Sequence, residues 1–283
     1  VLAFVGFVAS PAAAEPSPAP SASEEGRTTS REPHRLEHAE PTFLAAELVV
    51  SSLAAGALSL SAGPSPDHCR FCGTNDLDVA IRNVVHTNDS RSPALASHIV
   101  SLGAVPLLAL GAVVVPALES DHGSYALADG VVIVSGFVLT SGLADFSKKV
   151  TARERPAFYY GRQAQTESAH NSSDRYRSFF SADTAWAFSV ASSGAALAYE
   201  RGYWTAPFAL AGGAVFGAAA GGLRMVADMH WFTDVLVGAA VGTGAGLVSP
   251  LLLHRRADPS GTSVALSPVV APGLTGVVAT GSF

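Results

Sequence analysis

Three short stretches of this chain hold the residue types that grip and attack an oxyanion. The first carries Lys148 and Arg155, and the second carries Ser181 and Asp183. The third carries Arg224, His230 and Asp234, spaced R-x5-H-x3-D. Guanidinium forks match the paired oxygens of a phosphate. An imidazole four residues from a carboxylate suits covalent or acid–base chemistry. All three clusters stand at the edges of apolar runs, where ionisable groups are costly and therefore mark function. The plainer reading is that His230 and Asp234 pair on one helix face while Arg224 anchors to headgroups. The recurrence of polar clusters at matching edges favours the functional one.

The elements that must position these groups are apolar helices. The chain has 283 residues, 48% hydrophobic and only 14% charged. A soluble domain carries about a quarter charged residues, and here long runs carry almost none. The pattern is that of an all-α, six-helix transmembrane bundle. The expected spans are roughly Phe43–Ala62, Ala94–Leu118, Tyr125–Phe146, Thr184–Tyr199, Ala206–Leu223 and Phe232–Leu253. A crossing helix needs about 20 apolar residues, so the fourth is short. Gly and Ala abound, as in Ala211–Gly222, and small residues let membrane helices approach closely. Glu47 and Asp129 lie inside spans and are expected to face the bundle interior. The net charge of −6 gives no basic surface and argues against nucleic acid as a partner.

The remaining segments divide the chain. Residues 1–14, an apolar stretch ending in Ala12-Ala13-Ala14, read as a signal-peptide-like leader. Residues 15–42 are rich in Pro, Ser, Ala and Glu and read as a flexible lead-in. The membrane domain then spans 43–253 and a tail spans 254–283. The tail has β-prone runs around Pro272-Gly273 that suit a hairpin. Between the first two spans, Asn75 or Asp76 caps a short helix with Leu77, Ile81 and Val84 on one face. Cys69 and Cys72 form a disulfide or a reduced pair. With only His68 nearby they fall short of the four ligands of a structural zinc site. The loop 147–181 is long and polar, as functional loops tend to be.

Antiparallel crossing brings the junctions after span three, before span four and between spans five and six to one membrane face. Lys148-x6-Arg155-Pro156, Ser178-Phe-Phe-Ser-Ala-Asp-Thr184 and Arg224-x5-His230-x3-Asp234 resemble the three signature motifs of the type 2 phosphatidic acid phosphatase family. Vanadium haloperoxidases share these motifs. The resemblance covers about residues 94–253. It implies a six-helix membrane core, no metal and no cofactor. It also implies hydrolysis of a phosphomonoester or diphosphate, with a lipid phosphate or prenyl diphosphate as substrate. On this resemblance Lys148, Arg155 and Arg224 hold the phosphate oxygens, with Ser181 and amides near it adding donors. His230 is the nucleophile, and Asp234 fixes its tautomer and stabilises its charged form.

The second motif departs from the family pattern, Pro-Ser-Gly-His, by reading Phe180-Ser181-Ala182-Asp183. The missing His is the family's general acid. An Asp among cations is ionised and has no proton to donate. Loss of general-acid help costs about 10²–10⁴ in rate. The alternative reading is therefore a non-catalytic relative that binds phospholipid headgroups or acts as a scaffold. The retained His230 and Asp234 favour the enzyme. The resemblance implies an integral protein of the bacterial inner membrane. Basic residues are more numerous on the motif side, which leans that side towards the cytoplasm. The long 147–181 loop supplies most of that excess, so the side of the site is left open.

Overall fold

Local sequence signals write several of the helix ends. The computed structural model describes residues 32–162 and 174–257, and the backbone of 263–271 and 274–282. The leader 1–14 and residues 15–31 of the lead-in lie outside the described residues. The helices are α1 (Pro41–Ser61), α2 (Asp76–Val85), α3 (Arg91–Ile99), α4 (Val105–Glu119) and α5 (Gly123–Thr151), followed by α6 (Pro156–Tyr159), α7 (Ala182–Arg201), α8 (Ala206–Val226) and α9 (Phe232–Leu252). A π-helical turn, Val100–Ala104, joins α3 to α4. Prolines open α1, α6 and α8, where the missing amide has no helical partner to lose. Ser181 caps α7 by accepting from the Thr184 amide, and Gly202 ends it at φ 75°, a left-handed position that glycine fills without strain. Asn75, not Asp76, caps α2, its side chain accepting from the Asp78 amide at 2.8 Å.

Among the described residues, five helical rods are long and apolar enough to cross a membrane: 41–61, 91–119, 123–159, 206–226 and 232–252. The expected count of six is not reached by length and composition. The expected fourth span is α7, a 20-residue helix that falls below the required apolarity. Its place in the bundle explains this. It packs against α4, α5, α8 and α9, and most of its residues are buried. A helix sheathed by other helices meets little lipid, so Ala and Ser suffice on its surface.

The α7–α9 contact is the closest approach that bears on the site. Gly238, Gly242 and Gly246 recur every fourth residue along α9 and face Ser181, Ala185 and Ser189 of α7. A Cβ at Gly238 would lie 2.6 Å from the Ser181 carbonyl oxygen. At Gly242 it would overlap the carbonyl of Ala185. Gly242→Leu is therefore expected to force the helices apart, at a cost of about 1–3 kcal/mol or more. Gly244, where an added Cβ would meet nothing within 4 Å, is the control. A thermal melt should show a lower midpoint for Gly242→Leu and an unshifted one for Gly244→Leu. Equal behaviour of the two variants would rule out this packing account.

Helix α2 turns an unexpected side inward. It buries Asp78 and Arg82, while Leu77 and Val84 stay 53% and 85% exposed. Its polar side is held by the loops of the candidate site. At the other end of the bundle, buried Asp129 of α5 pairs with buried Arg201 of α7 at 2.7 Å. Glu47 accepts from Ser249 Oγ at 2.5 Å and lies 2.7 Å from His254 Nε2. Both intramembrane acids thus have partners. Cys69 and Cys72 form a disulfide. In the tail, β1 (Ser263–Ala271) and β2 (Leu274–Ser282) pair antiparallel, with Ser263 opposite Ser282 and Ala271 opposite Leu274.

Candidate active site

The three clusters meet because their backbones are stitched together. The segment after α5 leaves the helix through Ala152 at φ 47° and reaches an extended conformation at Arg155. The Arg155 side chain donates to the Met229 carbonyl at 3.3 Å. The Ala157 amide donates to the Asp228 carbonyl at 2.9 Å. Trp231 Nε1 donates to the Glu154 carbonyl at 2.9 Å. These bonds dock the turn between α8 and α9 onto the segment after α5. The start of α7 is tied in by the Ser178 amide donating to the Arg153 carbonyl at 3.0 Å. The Ser181 amide also donates to the Asp234 carbonyl at 3.1 Å.

His230 sits at the centre. It is 2% exposed, and among the described residues neither ring nitrogen has a hydrogen-bond partner. Buried polar atoms are nearly always satisfied, so such an orphan calls for an explanation. Burial pushes the imidazole down to about 3. The positive charges of Arg155, Arg224 and Lys148 push the same way against Asp234. His230 is therefore neutral at ordinary pH, as a nucleophile must be.

The predicted residues fall into three kinds of position. Lys148, Arg155 and Arg224 are close enough to His230 to act on its charge, and Arg155 and Arg224 are buried. Arg155 also pairs with Asp174 at 2.9 Å. Ser181 is wholly buried and its oxygen accepts from Thr184 Oγ1 at 2.8 Å. Its amide is committed to the Asp234 carbonyl. Asp183 lies with Oδ2 3.3 Å from Arg224 Nε. Asp234 is wholly buried, with Oδ2 3.7 Å from His230 Nδ1. That separation exceeds a hydrogen bond, and Asp234 is instead held by Arg153, Ser178 and the Trp231 amide at 2.6, 2.6 and 2.9 Å.

Several residues escaped the sequence reading. Arg153 bridges Asp234 and wholly buried Asp78, the latter at 2.7 Å. Asp78 in turn accepts from the Thr233 amide at 2.9 Å. Arg82 grips Asp228 with two bonds of 2.7 and 2.6 Å, which fixes that residue at φ 61° in the turn before His230. The largest omission is His98 of α3, whose Nδ1 lies 2.6 Å from Asp183 Oδ1. Alternation in Arg153-Glu154-Arg155 was a usable signal for Arg153. A lone imidazole inside an apolar run was one for His98.

Membrane-capable helices thus bring Lys148, Arg155 and Arg224 close to a buried imidazole that makes no hydrogen bond among the described residues. The family model described as the PAP2 superfamily matches residues 129–258, so this part of the chain is similar to that superfamily. No curated protein and no solved structure matches the chain.

Proposed function

We propose that the chain is a membrane phosphatase that hydrolyses a lipid phosphomonoester or diphosphate through a phosphohistidine at His230. The observation that carries this reading is the buried, neutral His230, with both ring nitrogens unpartnered among the described residues, close to Lys148, Arg155 and Arg224. A neutral imidazole has a lone pair that can attack phosphorus, a capacity that anion binding alone does not require. Nδ1 is the nitrogen nearer Asp234, so Nε2 attacks phosphorus. The three cations hold the phosphoryl oxygens and stabilise the charge that builds on them. Ser181 donates its hydroxyl, and the amides of Ala182 and Asp183, which have no partner within the helix, add to it. Asp234 stabilises the phosphoimidazolium.

The same reading takes α7 as a sixth crossing. Its 20 residues reach about 30 Å at 1.5 Å each, the thickness of a bilayer core. The bacterial inner membrane fits the family, with the site on its oxidising side. The disulfide loop lies on the site's face, since the Arg70 amide donates to the Ala152 carbonyl at 3.3 Å. Disulfides persist in oxidising compartments, and this outweighs the lean of the basic residues. Residues 1–14 then act as an export leader, 15–42 as a lead-in to the 43–253 domain, and 254–283 as a tail.

One observation favours the headgroup-binding alternative: Asp183 already occupies part of Arg224. The test is phosphate release by the purified chain from phosphatidic acid and from a prenyl diphosphate, with an acid-labile phosphoenzyme trapped on His230. Turnover and trapping are expected. Binding of phosphatidic acid vesicles with no release from either substrate would favour the alternative.

A further inference from the structure

We infer that His98 is the general acid of this site, relocated from α7 to α3 and held there by Asp183. This rests on the phosphatase reading above. The second cluster lacks an imidazole in sequence, yet the fold returns one in space. His98 Nδ1 lies 2.6 Å from Asp183 Oδ1. Its other ring nitrogen, Nε2, lies 3.5 Å from Arg224 Nη1. Asp183 is thus the carboxylate paired with the Nδ1 side of the ring, which leaves Nε2 on the side of the Arg224 guanidinium. The charge of Asp183 is also felt by His230, so the two imidazoles flank one site.

The helix is built to make this contact. The π-helical turn Val100–Ala104 follows His98 closely, and such turns concentrate at functional sites. It carries Ser101, whose hydroxyl donates to the same Asp183 Oδ1 at 3.2 Å. Two side chains from one continuous stretch therefore converge on a single carboxylate oxygen. His98 keeps a side-chain exposure of 33%, against none for His230. The proposed proton donor is thus the more exposed of the two imidazoles.

The proton count closes. His230 Nε2 forms a bond to phosphorus as the bond from phosphorus to the leaving oxygen breaks, and that oxygen takes the electron pair. The imidazolium of His98 gives its Nε2 proton to the oxygen, which departs as an alcohol or, from a diphosphate, as a phosphomonoester. In the second half, neutral His98 takes a proton from water as the water oxygen attacks phosphorus. The phosphorus–nitrogen bond breaks with its electrons returning to His230, inorganic phosphate leaves, and His98 is again the imidazolium.

Leaving-group dependence separates this role from a structural one. A poor leaving group such as the alkoxide of phosphatidic acid needs the proton, whereas the phenolate of p-nitrophenyl phosphate needs it far less. In the full chain, His98→Asn is expected to lower kcat/KM for phosphatidic acid by about 10²–10⁴. The fall for p-nitrophenyl phosphate should be at least tenfold smaller. In His98→Asn/Asp183→His, which returns an imidazole to α7, the extra loss on phosphatidic acid is expected to shrink. Equal losses on both substrates in His98→Asn, or no loss on either, would overturn the assignment of His98 while leaving the phosphatase reading intact. No release from either substrate by the unaltered chain would overturn the phosphatase reading and this assignment with it.

Discussion

His230→Ala is expected to abolish phosphate release, a fall on the order of 10⁴ to 10⁶ for a lost nucleophile. The cations that hold the phosphate survive the change, so binding of phosphatidic acid should persist while turnover stops. That split is the signature of a group that acts only in the chemical step. The same variant carries a stability signature of the opposite sign. Burial and the surrounding cations hold His230 at about 3, below its ordinary value near 6.5. The unfolded chain therefore takes up a proton that the folded chain refuses as pH falls from about 6.5 to about 3. Folded stability contributed by this group is lost over that window. His230→Ala should lose stability less steeply there, read as unfolding midpoints at pH 7 and pH 4. Retained turnover in His230→Ala would remove the nucleophile assignment, and an unchanged pH slope would contradict the burial of its charge.

What the sequence made legible was the chemistry that repeats at helix edges. Lys148, Arg155, Arg224 and His230 stand at junctions that antiparallel crossing must bring to one face, and they do gather there. Spans that face lipid were legible for the same reason, since lipid demands continuous apolarity. Helix α7 broke the pattern because its neighbours, not lipid, surround it. His98 was missed because its partner Asp183 lies 85 positions away. Asp78, Arg82 and Arg153 were missed because a buried ion pair leaves no local trace; each member alone reads as a surface charge. The substitution at Asp183, which in sequence looks like a lost function, acquires a partner only in three dimensions.

That buried ionic web carries the second large effect. Arg153 donates to Asp78 Oδ2 at 2.7 Å, to Asp234 Oδ1 at 2.6 Å and to Thr233 Oγ1 at 2.8 Å. Both carboxylates are wholly buried, and one planar fork serves both. Arg153→Ala would leave two like charges facing each other without water. Removing one partner of a buried pair costs about 3–5 kcal/mol, so a marked fall in the unfolding midpoint is expected. Arg153→Lys should recover only part of it, because a single ammonium lacks the fork that reaches two carboxylates. Activity should fall in step, since Asp234 would swing from its place beside His230. The double variant Asp78→Asn/Arg153→Ala removes one of the stranded charges and is expected to be more stable than Arg153→Ala alone. That reversal, in which a second loss repairs the first, distinguishes stranded charge from lost packing. A double variant no more stable than the single one would mean that Arg153 acts by filling space rather than by neutralising Asp78 and Asp234.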